Sequence, residues 1–202
     1  SAVEQLASNL NFKSFAKATE LKQRILFTFA ALFVFRIGTY IPIPGINTES
    51  LKLMMNQHSS GVLGMFNVFA GGAIGRMAIF ALGIMPYISA SIIVQLLVSI
   101  VPSLEGLKKE GNAGKKVIMQ YTRYGALLLS VFQAYGISLA LEAGMGTSYH
   151  LVIDPGWIFR FSVVTTLVGG TIFLMWLSEQ ITNRGIGNGS SLIIFSGIVA
   201  QL

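Results

Sequence analysis

The sequence predicts an all-α fold, a polytopic membrane helix bundle. Three observations carry this: a hydrophobic excess, apolar runs of bilayer length, and a Lys/Arg bias between alternate connections. Of 202 residues, 53% are hydrophobic and 11% charged, against about 25% charged in soluble domains. That is too few charges to cover a soluble surface, and the mean hydropathy of +0.68 agrees. The net charge of +6 fits basic loops facing anionic lipid better than a nucleic-acid partner. With no cysteines, disulfides, thiolate metal sites and Cys nucleophiles are excluded. The first apolar run has basic residues before it but no small-residue cleavage site after it, so it reads as a retained span.

Residues 1–21 are expected to be a cytoplasmic N-terminal segment. Leu6, Leu10, Phe12, Phe15 and Leu21 allow either a surface amphipathic helix or a tail. Residues 22–202 form the body. A bilayer core needs roughly 20 apolar residues in a helix. Residues 25–43 supply one, with Arg36 inside it. The second, about 77–101, includes a 23-residue run from Ile79 that carries no charge. Residues 121–141 supply a third and 157–178 a fourth. Trp157 and Trp176 are 19 residues apart, roughly 29 Å along a helix, the spacing of two interfacial aromatic belts. A fifth run, 189–202, has 14 residues, short of a crossing, so the natural chain is expected to continue.

Lys and Arg set the orientation. One set of segments holds ten: Lys13, Lys17, Lys22, Arg24, Lys108, Lys109, Lys115, Lys116, Arg123 and Arg184. The alternate set holds three: Lys52, Arg76 and Arg160. This places the N-terminus in the cytoplasm.

Between the first two spans, from His58 to Pro86, a nine-residue apolar piece (62–70) precedes Gly71-Gly72 and Gly75. It reads either as a re-entrant segment, tolerated at membrane depth only against protein or a water-filled cavity, or as an interfacial loop helix. Ile84, Ile88 and Ile92 then recur at i, i+4 and i+8, one helix stripe. Such a stripe becomes a constriction only if the opposite face packs on other helices. Pro86 could kink that span, and Ser89 and Ser91 permit close helix contact. Lys108, Lys109, Lys115 and Lys116 form a basic, glycine-containing loop suited to anionic headgroups. Arg184 to Gly189 is a glycine-rich turn without the Lys-Ser/Thr of a phosphate loop. Arg36 is the one deep charge; pairing, cavity lining and snorkelling all remain open.

Enzyme chemistry is not expected. His58 and His150 lack ligand-spaced partners, and acidic residues are missing mid-span, against a proton relay. No metal or cofactor is implied. A secondary transporter half, built from an inverted repeat, is the alternative to a channel, but transporters place polar groups at the midplane.

The residues themselves then resemble a known family. Phe35-Arg36-Ile37-Gly38-Thr39-Tyr40-Ile41-Pro42-Ile43-Pro44-Gly45, Met65-Phe66-Asn67-Val68-Phe69-Ala70-Gly71-Gly72, and the run Phe80 to Ile93 are similar to the first helix, plug and second helix of the SecY family. So are Gln120 to Gly125, Met175 to Thr182 and Arg184 to Gly189, the third helix and the turn into the fifth. The resemblance runs from about Lys22 to the end. It implies one half of an inverted-repeat translocon fold with a short re-entrant plug helix (62–72): five helices of ten in a protein-conducting channel of the bacterial cytoplasmic membrane. It implies an apolar pore ring at Ile84, Ile88, Ser190 and Ile194, a plug including Leu63, Met65, Phe66, Asn67, Phe69, Gly71 and Gly72, and a lateral gate including Ser89 and Ile92. Implied partners are the remaining C-terminal half, SecE and SecG, the SecA motor, the ribosome with its nascent chain, signal sequences and membrane lipids. Two positions depart from the pattern: Ser190, where the ring is usually bulky and apolar, and Ser178, where glycine is usual.

Overall fold

The structure, a computed structural model, describes residues 19–57, 62–144 and 150–201. The surface helix considered for the N-terminal segment falls almost wholly outside the described residues, as do His58 and the side chain of Leu63. The described residues form helices α1 (Thr19–Gly38), α2 (Thr48–Gln57), α3 (Val62–Phe69), α4 (Met85–Ile100), α5 (Pro102–Lys109), α6 (Asn112–Glu142), α7 (Trp157–Arg184) and α8 (Gly189–Val199). Two isolated bridges, Pro42 with Ala78 and Ile46 with Val152, tie the connections together.

The scaffold is the antiparallel pair α6–α7, against which α4, α1 and α8 pack. Both are long and apolar enough to cross a membrane; α4 with α5 would make a third span if that bent pair is one segment. On α6 the buried stripe Thr122, Ala126, Ser130, Ala134 and Ser138 recurs every four residues. Small side chains at that spacing let helices approach closely in lipid. The hydroxyls of Thr122, Ser130 and Ser138 donate to the carbonyls of Ile118, Leu127 and Tyr135, so the stripe carries no unsatisfied polar group. The facing side of α4 is Ala90, Val94 and Val98.

The α6–α7 pair is clamped at both ends. Arg123 grips Glu179 with two bonds, Nε at 2.7 Å and Nη2 at 2.6 Å. Arg160 grips Glu142, Nε at 2.8 Å and Nη2 at 2.6 Å. On each helix the two members are 19 residues apart, roughly 29 Å, close to the hydrocarbon thickness of a bilayer.

The greatest departure from the sequence reading is the second span. Residues 70–84 are turns, and helix begins only at Met85. Gly71, Gly72 and Gly83 take positive φ, as does Met77. The segment also runs beside the chain leaving α1: Ile43 N–H donates to Met77 O, and Ile79 N–H to Ile41 O, both at 2.9 Å. Backbone groups committed to that neighbour cannot also complete a helix. Pro86, expected to kink a span, instead stands in the first turn of α4, where its missing N–H costs nothing. The first helix ends at Gly38 rather than near 43, before Pro42 and Pro44.

Other bounds shift for local reasons. The third helix starts at Asn112, not 121, because the expected basic loop is mostly helix. Lys108 and Lys109 end α5, Lys115 and Lys116 lie in the first turns of α6, and Glu110 and Gly111 (φ 75°) form the turn between. Lysine is a good helix former. The fourth helix continues past 178 to Arg184, and α8 is the expected fifth run, Gly189–Val199. Helix α5 leaves α4 at a 100° bend, with Pro102 at its start.

Candidate functional site

Two features meet on the face of the scaffold formed by α4 and α8. The first is a cavity of about 800 Å³ between α4, α6, α7 and α8. Its apolar lining includes Ile88 and Ile92 on α4, Met119 on α6 and Ile194 on α8; its polar lining includes Lys116, Arg123, Glu179 and Asn188. Since Ala90, Val94 and Val98 are buried on the α6 side, Ile88 and Ile92 are left toward the open space. Two of the three stripe residues, Ile88 and Ile92, thus face the cavity while the opposite side of α4 is packed.

The expected ring residues do not all behave alike. Ile88, Ser190 and Ile194 line the cavity. Ile84 does not: it is the N-cap of α4, not a helical residue, and is 3% exposed within an apolar cluster with Phe80, Leu177 and Ile193. Of the gate positions, Ile92 lines the same cavity, while Ser89 lines a separate apolar groove with Phe66, Met85 and Ile137.

The fifth helix enters this cavity through a built turn. Asn188 caps α8, its Oδ1 accepting from the backbone N–H of Ser190 and Ser191. Gly189 lies so close to the Ser178 carbonyl that any side chain would overlap it. The two positions that depart from the family pattern touch: Ser178 Oγ and Ser190 Oγ are 2.8 Å apart. A hydroxyl that would otherwise hydrate the cavity is thus partnered within the protein.

The second feature is the short helix α3, residues Val62–Phe69, which ends in turns rather than continuing to 72. Met65, Phe66 and Phe69 are exposed, Asn67 is half-buried, and Gly71 and Gly72 are buried. Three contacts fix where α3 ends. Arg36 Nη1 donates to Gly71 O at 2.8 Å, and its Nη2 to Tyr40 Oη at 3.1 Å. Asn67 Oδ1 accepts from Gly75 N–H at 2.7 Å. Gly197 on α8 lies against Gly71, where an added Cβ would be 3.2 Å from Gly71 N and Phe69 O. The deep charge that the sequence left unassigned therefore pairs with backbone at the end of α3. Sequence reasoning also missed both ion pairs of α6–α7, since no local signal joins Arg123 to Glu179 or Arg160 to Glu142.

Of the basic residues on the α5–α6 connection, Lys108, Lys109, Lys115 and Lys116 are all exposed. Among the described residues no group of three or more His, Asp or Glu could hold a metal.

Comparison with known proteins agrees with this architecture. The chain is 57% identical over 183 residues to the protein translocase subunit SecY of Escherichia coli K12, covering 91% of this chain and 41% of that protein. It is 51% identical over 195 residues to the SecY of Rickettsia typhi, covering 96% and 44%. The chain thus spans about half the length of the curated relatives it matches. Sec61 in the canine ribosome–channel complex from the endoplasmic reticulum, and a solved structure of a protein-conducting channel, each align with a TM-score of 0.63 at 21% identity, over 89% of this chain and 36% of theirs. At that identity the likeness is one of fold. The SecY family model matches residues 78–202, well over half of the chain; this is a multi-pass membrane protein and it belongs to the SecY family.

Proposed function

We propose that the chain is the N-terminal half of the pore subunit of a protein-conducting channel, moving unfolded secretory proteins across, and membrane proteins into, the bacterial cytoplasmic membrane. The observation that carries this is a cavity with an isoleucine wall (Ile88, Ile92 and Ile194) beside a short helix held in place by point contacts. Ile88 and Ile194 form this half's share of a ring, with Ile92 at the gate and Ile84 buttressing from behind. Apolar ring side chains make no strong hydrogen bonds to a passing chain, so they tolerate many sequences, and they exclude water by dewetting. Helix α3 with Gly71 and Gly72 acts as the plug, and Arg36 is its latch. The inside-positive bias puts the N-terminus and the α5–α6 lysines in the cytoplasm. The remaining C-terminal half supplies the other gate wall, SecE and SecG complete the assembly, and SecA or the ribosome supplies the driving force.

A transporter reading fits less well, since it needs a polar midplane site and the deep guanidinium of Arg36 is committed to Gly71 and Tyr40. The test is a photo-crosslinker at Ile88 in the full-length protein. A stalled secretory chain is expected to crosslink there; adducts with lipid alone would remove the pore assignment.

A further inference from the structure

A second cavity, of about 310 Å³, opens where α2, α3, the turns after α3 and Gln201 meet. Its lining includes two cations, Lys52 and Arg76, and three amides, Asn56, Asn67 and Gln201; among the described residues no carboxylate lines it. Arg76 Nη1 is buried without a hydrogen-bond partner among the described residues. The guanidinium carbon sits 4.1 Å from the Tyr40 ring centroid, and a ring face offsets only part of what a cation loses on leaving water.

The side chains of Arg76 and Gln201 both reach the backbone at Gly72. At Gly72, whose φ of +81° disfavours any side chain, a Cβ would lie 3.2 Å from Arg76 Nη1 and 2.5 Å from Gln201 Nε2. Two donors therefore lie side by side against Gly72, at the wall of the cavity. On the other side of the same turn, Arg36 binds Gly71 O, which adds to the positive field. A water could accept one hydrogen bond here, but it leaves the charge of Lys52 and Arg76 unopposed. A ligand that matches both is an acceptor carrying negative charge.

We propose that this cavity is an oxyanion site, taking a carboxylate or phosphate-type group between Arg76, Lys52 and Gln201. The occupant joins α2 to the turns that follow α3. The proposal does not depend on the chain conducting protein.

The test uses the full-length protein in its complex, in neutral detergent, with its melting followed by tryptophan fluorescence. Inorganic phosphate and sulfate are titrated against chloride at matched ionic strength. A free-anion site gives a saturable rise of about 2–4 °C, lost in Arg76→Gln, partly kept in Arg76→Lys and reduced in Lys52→Gln. If the protein itself supplies the carboxylate, phosphate leaves the melting unmoved. A full-length structure then places a carboxylate oxygen at hydrogen-bond distance from Arg76 Nη1, and Arg76→Gln melts lower. Should Arg76→Gln fail to fold, Lys52→Gln and Gln201→Leu carry the same comparison. The proposal is overturned by a rise that these variants leave unchanged. It is equally overturned by an unmoved melting temperature with only water or a neutral group at Nη1.

Discussion

The α6–α7 pair and the segment 70–84 pack against each other at Gly170 and are built on opposite plans. The helix pair satisfies its own backbone and is held by a repeating stripe of small residues, with an ion pair at each end. The 70–84 segment has little regular structure. It is held by single contacts: Arg36 on Gly71, Asn67 on Gly75, Gly170 of α7 against the Ile79 backbone, and the pairing with residues 41–43. Distributed packing shares a loss among many neighbours. Point contacts do not, so the two regions should differ sharply in their tolerance of small changes.

The largest effect is expected at Gly170, where any side chain would overlap the Ile79 carbonyl. Gly170→Val should destabilise by about 3 kcal/mol or more, the cost of overpacking against backbone. The check is thermal melting of the full-length protein; on α6, Ala134→Gly should cost only about 1 kcal/mol. Equal costs at both positions would break the contrast.

Next is Arg36→Leu, which removes a charged hydrogen bond to a buried carbonyl, a loss of about 1.5–3 kcal/mol. It should also raise ion leak through reconstituted channels, as should deletion of residues 63–69; unchanged leak in both would count against α3 as a closure. Asn67→Ala should act in the same direction by about 1–2 kcal/mol, leaving the Gly75 N–H unmet.

The clamps come next. Double-mutant cycles on Arg123–Glu179 and Arg160–Glu142 should give couplings of about 1 kcal/mol or less for the first, which is the more exposed, and a larger value for the second, whose Glu142 side chain is 11% exposed. A reversed order would show that exposure does not set their strength. The smallest effect is expected at the serine pair. Ser190→Ile alone should leave the Ser178 hydroxyl unpaired and cost about 1 kcal/mol, while Ser190→Ile with Ser178→Gly should recover most of it. Ser190→Ile should also reduce leak, and an unchanged leak would remove Ser190 from the constriction.

Much of the helix pair was legible in the sequence, because bilayer length and apolar composition are local properties. Trp157 marks the start of α7 in both readings. The second span was not legible. Its 23-residue uncharged run satisfies a length test, yet its first six residues are turns, since pairing with residues 41–43 and the close approach of Gly170 override composition. Gly71, Gly72, Gly75 and Pro86 were the local signs of that break, the glycines read as belonging to a re-entrant or interfacial segment and Pro86 as a kink rather than as the start of the helix. The ion pairs were out of reach for a different reason: Arg123 and Glu179 are 56 positions apart, and only the antiparallel packing brings them together. At the cavity, the isoleucine period gave the facing of Ile88 and Ile92 but not the loss of Ile84 to the core.

The 100° bend at Val101–Pro102 makes a crank of α4 and α5. Helix α5 is an arm of eight residues, about 12 Å long, set nearly at right angles to the shaft. A sideways push of about 3 Å on its Lys109 end, if the joint is stiff, turns α4 by roughly 14° about its own axis. Helix α5 also packs on α6, with the Leu107 carbonyl where a Cβ of Gly114 would be, so a push on the arm loads α4 and α6 together.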